Sequence, residues 1–336
     1  MRWDDRISSR LTLRDLHVLM SVAQSGSMGK AAKELAISQP AISKAIGGVE
    51  HLLKVKLFDR TPTGVQPTRY GRSLLKCGSA VFDDLRQGVN EIEQLSDPTV
   101  GELRLGCTEP MSSGFVPAIM DRLAQRYPKM VFHVTQGDPA ALQERELRSR
   151  NIELAVGRIP EPFPLNDLNV EVLFEESVFV ATALSSKWAR RRKVRLAELM
   201  GESWSLPPPG SVGHSIMTTA LHAAGLTMPR STVVTYSLHC HYALMATGRY
   251  LGLIPGSLLH FDAKRLGFTA VQLDVALNPG PAGIVTLKNR TLSPIAELFI
   301  ETARELAQPM AKNPKTIGRS RSGSFAILEQ RRSRYN

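Results

Sequence analysis

Apolar residues recur at steps of three and four in three short segments near the start of the chain. In the first segment they are Leu13, Leu16, Leu19, Met20 and Ala23. This spacing predicts an amphipathic helix that ends at Gly26, where a glycine C-cap is favoured. Ser27 and Ser38 are the predicted N-caps of a second and a third helix.

The second and third predicted helices are joined by a very short turn. Only Ala36 and Ile37 separate them in the sequence, and the small residues Ala31 and Ala32 permit close packing. This arrangement is typical of a helix-turn-helix, whose second helix enters the major groove of DNA. Side chains at the start of the third helix suit contacts to bases and phosphates. The predicted DNA-binding residues there are Ser38, Gln39, Pro40, Ser43 and Lys44.

A turn-rich stretch with β-forming flanks follows these helices. Residues 57–60 lead into a turn at 61–64, and residues 65–68 continue from it. This pattern predicts a two-stranded wing. Arg60, Thr63 and Thr68 are its candidate contacts to phosphate or to a minor groove.

The same segment carries a long and specific motif. Its residues are Leu13, Leu16, Ala23, Gly26, Ser27, Ala31, Ala32, Leu35, Ser38, Gln39, Pro40, Ala41, Ser43, Ile46, Val49, Glu50, Leu53, Leu57, Phe58 and Arg60. In these residues and their spacing, the chain closely resembles the DNA-binding segment of LysR-type transcriptional regulators. The resemblance implies an α+β winged helix-turn-helix domain over residues 11–70.

A heptad pattern follows the predicted wing, over residues 71–97. Its members are Leu74, Gly78, Val81, Leu85, Gly88, Ile92 and Leu95. A helix over residues 71–95 of this segment would span about 37 Å, and its apolar seam is one that a single chain cannot bury alone. The pattern therefore predicts a long linker helix that pairs two subunits. The alternative is an amphipathic helix that lies on its own domain.

Short β-rich runs alternate with helical runs between residues 101 and 310. This alternation favours parallel βαβ units, and hence an α/β sheet, arranged in two lobes. The region resembles the effector-binding half of the LysR family in Leu103 to Gly106, Tyr127-Pro128, Gly137, Glu153 to Val156 and Gly252 to Pro255. The resemblance implies a two-lobed domain that is similar to periplasmic solute-binding proteins.

The expected lobe boundaries follow from the same resemblance. Lobe I is expected at residues 101–160 and 267–308, and lobe II at residues 161–266. The two crossovers between the lobes are placed near Ile159 to Phe163 and near Leu266 to Phe268.

Ligands of open α/β sheets bind at the carboxyl ends of strands, where loops lead into helix N-termini that attract anions. The candidate effector-binding residues are therefore Thr108, Glu109, Ser112, Gly137, Asp138, Arg158, Pro208, Gly210 and His239. The resemblance implies that Thr108 holds an effector carboxylate, and Arg158 can neutralise such an anion. Glu109 would repel a purely acidic ligand unless it is paired with Arg158 or with a ligand amine. The alternatives are helix capping by Thr108 and Ser112, and a surface ion pair for Arg158.

Positive charge is concentrated at the two ends of the chain. The first 70 residues hold 11 Lys or Arg against 6 Asp or Glu, the last 25 hold 7 against 1, and the net charge is +11. A basic module joined to a neutral body indicates polyanion binding combined with a second task. The basic tail, residues 311–336, is predicted to be disordered.

The remaining composition narrows the class of protein. The sequence has no run of about 18 apolar residues and starts with a charged segment, so neither a membrane span nor export is expected. A cytoplasmic location is predicted. Cys77, Cys107 and Cys240 lie far apart, which gives no disulfide framework and no metal-ligand spacing. Neither a metal nor a cofactor is expected.

These observations together predict a sequence-specific transcriptional regulator rather than an enzyme. The expected partners are double-stranded promoter DNA, a small-molecule effector of the organic-acid type, RNA polymerase, and further copies of the chain in a homodimer or homotetramer. The alternative is a solute-binding protein or an enzyme with a fused basic domain. The sequence offers that alternative no nucleophile–base pair, phosphate loop or metal motif.

Overall fold

The computed structural model describes residues 10–61, 64–96, 100–159, 167–261, 266–275 and 277–312. Its chain divides into two compact units, Met1–Gly101 with Glu144–Ile152 and Glu102–Gln143 with Glu153–Asn336. Within the described ranges, no helix is both long enough and apolar enough to cross a membrane. Thr63, most of the first predicted crossover and nearly all of the basic tail lie outside the described residues.

The first unit begins with three helices. They are α1 (Leu13–Ser25), α2 (Met28–Glu34) and α3 (Gln39–Leu53). The predicted caps are confirmed: Gly26 takes a left-handed conformation with φ 64°, and the hydroxyls of Ser27 and Ser38 accept hydrogen bonds from Lys30 N and Ala41 N. Local sequence therefore determines where these helices start and stop.

A small apolar core holds the three helices together. Val22, Ala31 and Ile42 are fully buried in it, one from each helix. The lack of a larger side chain at Ala31 lets α2 approach its neighbours closely. Ala36, in the turn between α2 and α3, adopts a φ of 54°, a left-handed conformation that a non-glycine residue rarely takes.

The wing and the long helix complete the first unit. Strands β1 (Phe58–Thr61) and β2 (Gly64–Pro67) pair antiparallel, and helix α4 (Arg69–Ser96) follows directly. Gly71, in the first turn of α4, lies against the carbonyl oxygen of Leu57 so closely that a Cβ atom would collide with it. This contact fixes the direction in which α4 leaves the wing.

The predicted heptad seam of α4 divides into two parts. Leu74 packs against the helix-turn-helix core, and Gly78 lies beside Leu16 and Met20 of α1. Farther along, Leu85, Val89 and Ile92 are exposed, with 47%, 55% and 66% of their surface accessible. The alternative interpretation, a helix lying on its own domain, thus applies to the first turns of α4, and the later turns retain an unburied apolar stripe.

The second unit alternates strands and helices along the chain. Its first half contains β3 (Val100–Cys107), α5 (Glu109–Ser112), α6 (Phe115–Arg126), β4 (Lys129–Gln136), α7 (Pro139–Ala141), β5 (Leu154–Arg158) and β6 (Leu168–Ala183). A π-helical turn, Leu142–Leu147, follows α7 but is grouped with the first unit from Glu144 onward.

The second half of this unit continues the same alternation. It contains β7 (Ser203–Leu206), α8 (Val212–Ala223), β8 (Ser231–Val234), α9 (Leu238–Ala246), β9 (Tyr250–Pro255), α10 (Gly256–Phe261), β10 (Phe268–Ala270), β11 (Leu277–Leu287) and α11 (Pro294–Lys312). Two 3₁₀ turns, Lys187–Arg190 and Leu196–Leu199, precede β7.

Within the described residues, nine strands form one sheet in the order β4-β3-β5-β11-β6-β9-β7-β8, with β10 beside β6. The predicted parallel pairing is confirmed for β3 with β5 and for β7 with β8 and β9. The long strands β6 and β11 pair antiparallel with each other at the centre. Two separate cores, one around Phe115 and Phe299 and one around Trp204 and Met217, define lobes I and II.

The second predicted crossover, at Leu266 to Phe268, is wrong. Phe268 pairs with Ala183 on β6, and Val271, Leu273 and Leu277 all belong to the core of lobe II. The chain returns to lobe I later, along β11, which pairs with β6 at Leu277 and with β5 from Ala282 onward. The burial of these apolar side chains in lobe II moves its boundary about ten residues toward the C-terminus.

Glu50, on the last turns of α3, ties the helix-turn-helix to the wing. Its Oε1 accepts hydrogen bonds from Leu57 N at 2.8 Å and Phe58 N at 3.4 Å, and its Oε2 lies 2.6 Å from Lys56 Nζ. Partial burial by itself would raise the pKa of Glu50, but the Lys56 ammonium and these two N–H groups outweigh that effect and lower it. The ionised carboxylate is therefore the form that the fold stabilises.

We expect the helix-turn-helix unit to lose stability in acid through Glu50. A carboxyl whose pKa is lowered on folding contributes stability above its unfolded pKa of about 4.3, and this is lost as the pH falls through the lower, folded pKa. Glu50→Gln should cost about 1–2 kcal/mol at pH 7, and the difference from the wild type should shrink below about pH 4. Urea denaturation of the wild type and the variant, at pH 7 and below about pH 4, measures this difference in the free energy of unfolding.

The matched control is Asp59→Asn, which removes an exposed negative charge from the wing. It should leave the free energy of unfolding within about 0.5 kcal/mol of the wild type at pH 7. A Glu50→Gln variant that is as stable as Asp59→Asn at pH 7 would show that Glu50 does not hold the wing.

Candidate DNA-reading face and effector cleft

The start of α3 presents its polar side chains to solvent because its apolar face is committed to the core. Ile42, Ile46 and Val49 are buried, while Gln39 and Lys44 are exposed. Of the other predicted residues, Ser38 and Pro40 are exposed and Ser43 is half-buried. The five predicted positions are therefore at least partly accessible to solvent at the N-terminal end of the helix, as direct readout of a major groove requires.

A groove of about 670 Å³ runs beside the start of α3. It is lined by Ser27, Gly29, Lys30, Ala32, Lys33, Ala36, Ile37, Ser38 and Gln39. The Oε1 atom of Gln39 lies beside Gly29, at an ordinary van der Waals distance of 3.6 Å from where a Cβ atom on that residue would sit. The two exposed lysines of α2 were missed by sequence reasoning, although their position beside a recognition helix suits contact with phosphates.

The three residues predicted to contact DNA from the wing lie in different environments. Arg60 lies on β1, and Thr63 is outside the described residues. Thr68 makes two hydrogen bonds within the domain: its hydroxyl donates to Lys56 O at 2.7 Å and accepts from Gly71 N at 3.1 Å. The hydroxyl of Thr68 thus caps the start of α4, and a contact from it to DNA stays a prediction.

In lobe I, the loop after β3 brings together Thr108, Glu109 and Ser112. Thr108 is the N-cap residue of α5, but its hydroxyl makes no capping hydrogen bond. The Ser112 hydroxyl donates to Glu109 O at 2.7 Å and accepts from Gln136 Nε2 at 3.0 Å. This corner of lobe I therefore offers hydroxyl and amide groups at the carboxyl ends of β3 and β4.

The next loop of lobe I contains Gly137 and Asp138. Gly137 N donates to Cys107 O at 3.2 Å, which holds the loop against the end of β3. Asp138 caps α7 through its side chain, which accepts from Ala141 N at 2.9 Å. Burial raises the pKa of the neighbouring Cys107 thiol to about 11, so that thiol is neutral at physiological pH.

Glu109 reaches from lobe I to lobe II. Its Oε1 accepts a hydrogen bond of 3.0 Å from Leu238 N, the first residue of α9. The positive end of a helix dipole favours a carboxylate at this position. The remaining candidates of lobe II are Pro208, whose carbonyl accepts from Ser211 Oγ at 2.7 Å, Gly210, which is exposed with φ 85°, and the exposed His239 of α9.

Arg158, at the end of β5, lies in a more crowded environment than its sequence indicated. Its guanidinium occupies the space where Gly280 of β11 lacks a side chain, so a Cβ atom at that position would collide with it. Burial lowers the pKa of Arg158, while the negative charges of Glu176 and Glu175 raise it. Arg158 is thus half-buried, packed against Gly280 of β11 and within the electrostatic influence of Glu175 and Glu176 on β6.

Sequence reasoning missed the buried polar groups of the crossover region. Glu176 on β6, Tyr242 on α9 and Ser257 on α10 were not candidates, because single polar residues in apolar surroundings give no periodic signal. His241, in contrast, is a packed core residue: its ring nitrogens lie 2.9 Å from Ser205 Oγ and 3.0 Å from Leu253 O. Burial lowers its pKa, and the Leu253 carbonyl only partly offsets this.

Two family models match the chain. One, described as a bacterial regulatory helix-turn-helix protein of the lysR family, matches residues 13–72, and the other, the LysR substrate binding domain, matches residues 96–308. The chain belongs to the LysR family. It is accordingly a DNA-binding transcriptional regulator with an effector-binding domain, and regulators of this family bind promoter DNA and small-molecule effectors and form oligomers.

Named relatives of this LysR-family regulator are matched over nearly all of their own length. The transcriptional regulator TdcA of Escherichia coli is 29% identical over 291 residues, which cover 86% of this chain and 91% of TdcA. The transcriptional dual regulator GltC of Bacillus subtilis is 27% identical over 293 residues, covering 87% and 96%.

Solved structures share the fold. A full-length OxyR variant from Pseudomonas aeruginosa matches with a TM-score of 0.63 at 18% identity, over 88% of this chain and 95% of that one. Full-length CbnR, in a complex with its target DNA, matches with a TM-score of 0.60 at 20% identity, over 88% and 99%. The predicted fold class, a winged helix-turn-helix, a linker helix and a two-lobed α/β domain, is confirmed.

Two substitutions at the start of α3 should separate base contacts from phosphate contacts. Gln39→Ala should cost about 1–3 kcal/mol on the correct operator and little on random DNA. Lys44→Ala should weaken binding to both and lower the salt slope by about one. Fluorescence anisotropy with labelled duplexes at several salt concentrations measures both effects. Equal losses for Gln39→Ala on operator and random DNA would remove Gln39 from base recognition.

Proposed function

We propose that this regulator reads two-fold-related promoter DNA through the exposed starts of α3 in paired subunits. The supporting observation is the division of α3 into a buried face, with Ile42 and Ile46, and an exposed polar face, with Gln39 and Lys44. The CbnR structure, which shares the fold, contains target DNA. The proposed contacts are those predicted for Ser38, Gln39, Pro40, Ser43, Lys44 and the wing.

The experiment that tests promoter recognition compares the flanking DNA of the gene with a scrambled duplex of equal length. We expect the flanking DNA to bind about 10³-fold or more tightly at physiological salt. The salt-dependent, sequence-independent part of the binding free energy should be the same for both duplexes. Equal affinities for both duplexes would contradict the proposed function.

Pairing of the subunits is proposed to use the later turns of α4. Leu85 and Ile92 belong to the heptad seam and are exposed together with Val89. Apolar side chains in such a row are buried when two helices pair. Pairing multiplies a weak single-site contact, since two linked recognition helices bind as one ligand. A homodimer is the smallest assembly that the proposal requires, and a homotetramer is a dimer of such dimers.

We expect Leu85→Glu to weaken the subunit pairing by at least about tenfold, because it places like charges opposite each other and removes apolar contact. Sedimentation velocity of the full chain measures the assembly, and promoter affinity should fall with it. The matched control is Lys76→Glu, which introduces the same side chain at an exposed position of α4 outside the seam. A Leu85→Glu variant that sediments like the control would contradict the proposed interface.

The effector is proposed to bind between the lobes and to shift the population of subunit arrangements. Thr108, Ser112 and Arg158 of lobe I, with the loop of Pro208 and Gly210 of lobe II, are the proposed contacts, and an organic acid is the proposed class. An effector can shift such an equilibrium only by its difference in affinity for the two states. The altered DNA contact then changes the action of RNA polymerase in the cytoplasm. The proposal assigns no catalytic step to the chain.

A further inference from the structure

Several polar side chains lie at or near β6, the long strand that pairs with β11, β9 and β10. They are Glu109 of α5, Arg158 of β5, Glu176 of β6, Tyr242 of α9 and Ser257 of α10, and we call them the crossover cluster. They come from both lobes, since Glu109 and Arg158 lie on lobe I and Tyr242 on lobe II. Polar groups buried together in this way require partners.

Glu176 is held through one carboxylate oxygen, and its other oxygen makes no well-oriented hydrogen bond within the described residues. It is 4% exposed, and its Oε1 accepts a hydrogen bond of 3.0 Å from Ser257 N. Its Oε2 is buried and has no hydrogen-bond partner among the described residues. Burial raises the pKa of Glu176, and the Ser257 hydroxyl, the N–H groups of Ser257 and Gly256 and the charge of Arg158 only partly offset it. Because Oε1 is fixed by this hydrogen bond, the position of Oε2 is fixed as well, and Oε2 can accept a hydrogen bond from a further donor.

The hydroxyl of Tyr242 is in the same situation. Its Oη is buried and makes no hydrogen bond of good geometry within the described residues, although the Ser113 hydroxyl lies close. Burial raises the pKa of Tyr242, Ser113 opposes this, and the negative charges of Glu109 and Glu176 raise it further. Both carboxylates therefore act electrostatically on the phenol. Ser257 Oγ, which lies close to Glu176, is a third buried atom with no well-oriented hydrogen bond in the described part of the chain.

The charges of the crossover cluster do not balance. Arg158 is the cation among its five members, and the charges of Glu176 and Glu175 both act on it. Glu109 adds a further carboxylate, whose Oε1 accepts from Leu238 N. A ligand that brings only negative charge would be repelled by Glu109 and Glu176. A cationic hydrogen-bond donor would be attracted by both carboxylates and would give each of them a partner.

We infer that the effector carries a protonated primary amine, which donates hydrogen bonds to Glu176 Oε2, to the Tyr242 hydroxyl and to Glu109. An ammonium group has three N–H donors and no acceptor, and these three side chains offer an acceptor for each. Thr108 and Arg158 remain for a carboxylate on the same molecule, so a small α-amino acid is the simplest member of the class. The inference rests on the proposed function, because it takes the cleft as the effector site.

The test is a thermal-shift and calorimetric screen of the full chain with matched pairs of compounds. Each α-amino acid is compared with the 2-hydroxy acid of the same side chain, and linear polyamines form a third set. We expect at least one amine to raise the melting temperature while its hydroxy partner does not. Glu176→Gln and Glu109→Gln should each weaken the binding of that amine by about tenfold or more, since both remove a charge opposite the ammonium.

Controls separate a ligand contact from a structural role. Tyr242→Phe removes one hydrogen-bond acceptor and should weaken the binding of the amine by less than Glu176→Gln does. Glu305→Gln removes an exposed carboxylate of α11 and should leave the affinity unchanged. If Glu176→Gln does not fold, the Glu109 and Tyr242 variants decide the question, because each can be scored against Glu305→Gln.

Three outcomes would overturn the inference: hydroxy acids that bind as well as their amines, charge variants that leave the amine affinity unchanged, or a screen in which no amine binds. The last is the result expected if an ordered water fills the crossover cluster. Promoter discrimination is measured on the same preparation. A chain that discriminates its promoter but binds no amine contradicts only this inference, and one that does not discriminate contradicts the proposed function.

Discussion

The close packing of α2 against α3 is the constraint on which the rest of the molecule depends. Ala31 and Ile42 are fully buried in that contact, and the opposite side of α3 therefore faces solvent. Gln39 and Lys44 are thereby presented on a rigid element, and side chains on rigid elements are positioned more accurately than side chains on loops. The wing adds to this arrangement through Glu50, which joins the end of α3 to the start of β1.

Glu50, which is partly buried, and Glu176, which is buried, show how the hydrogen-bond partners of a carboxylate determine its role. Glu50 has a hydrogen bond or an ion pair for each oxygen, its pKa is lowered, and it serves the fold. Glu176 has a hydrogen bond on one oxygen, its pKa is raised, and its other oxygen is buried with no well-oriented partner in the described part of the chain. A fully satisfied polar group rigidifies a structure, whereas a partly satisfied one is costly unless it is completed by something else.

Local features were predictable from the sequence because their causes are local. Ser27, Ser38 and Gly26 cap helices through atoms within a few residues, and the wing follows from a short turn. The second crossover was misplaced because its position depends on a distant pairing, that of Phe268 with Ala183, which no local pattern encodes. Glu176 was missed for the same reason: its partners Ser257 and Arg158 come from other elements of the fold.

The central claim, that two copies of α3 read adjacent major grooves, is tested most directly by hydroxyl-radical footprinting of the full chain on its promoter DNA. The account predicts two protected patches on one face of the duplex, with centres about 34 Å apart or a whole multiple of that distance. Protection of a single patch, or uniform protection without preferred positions, would contradict it.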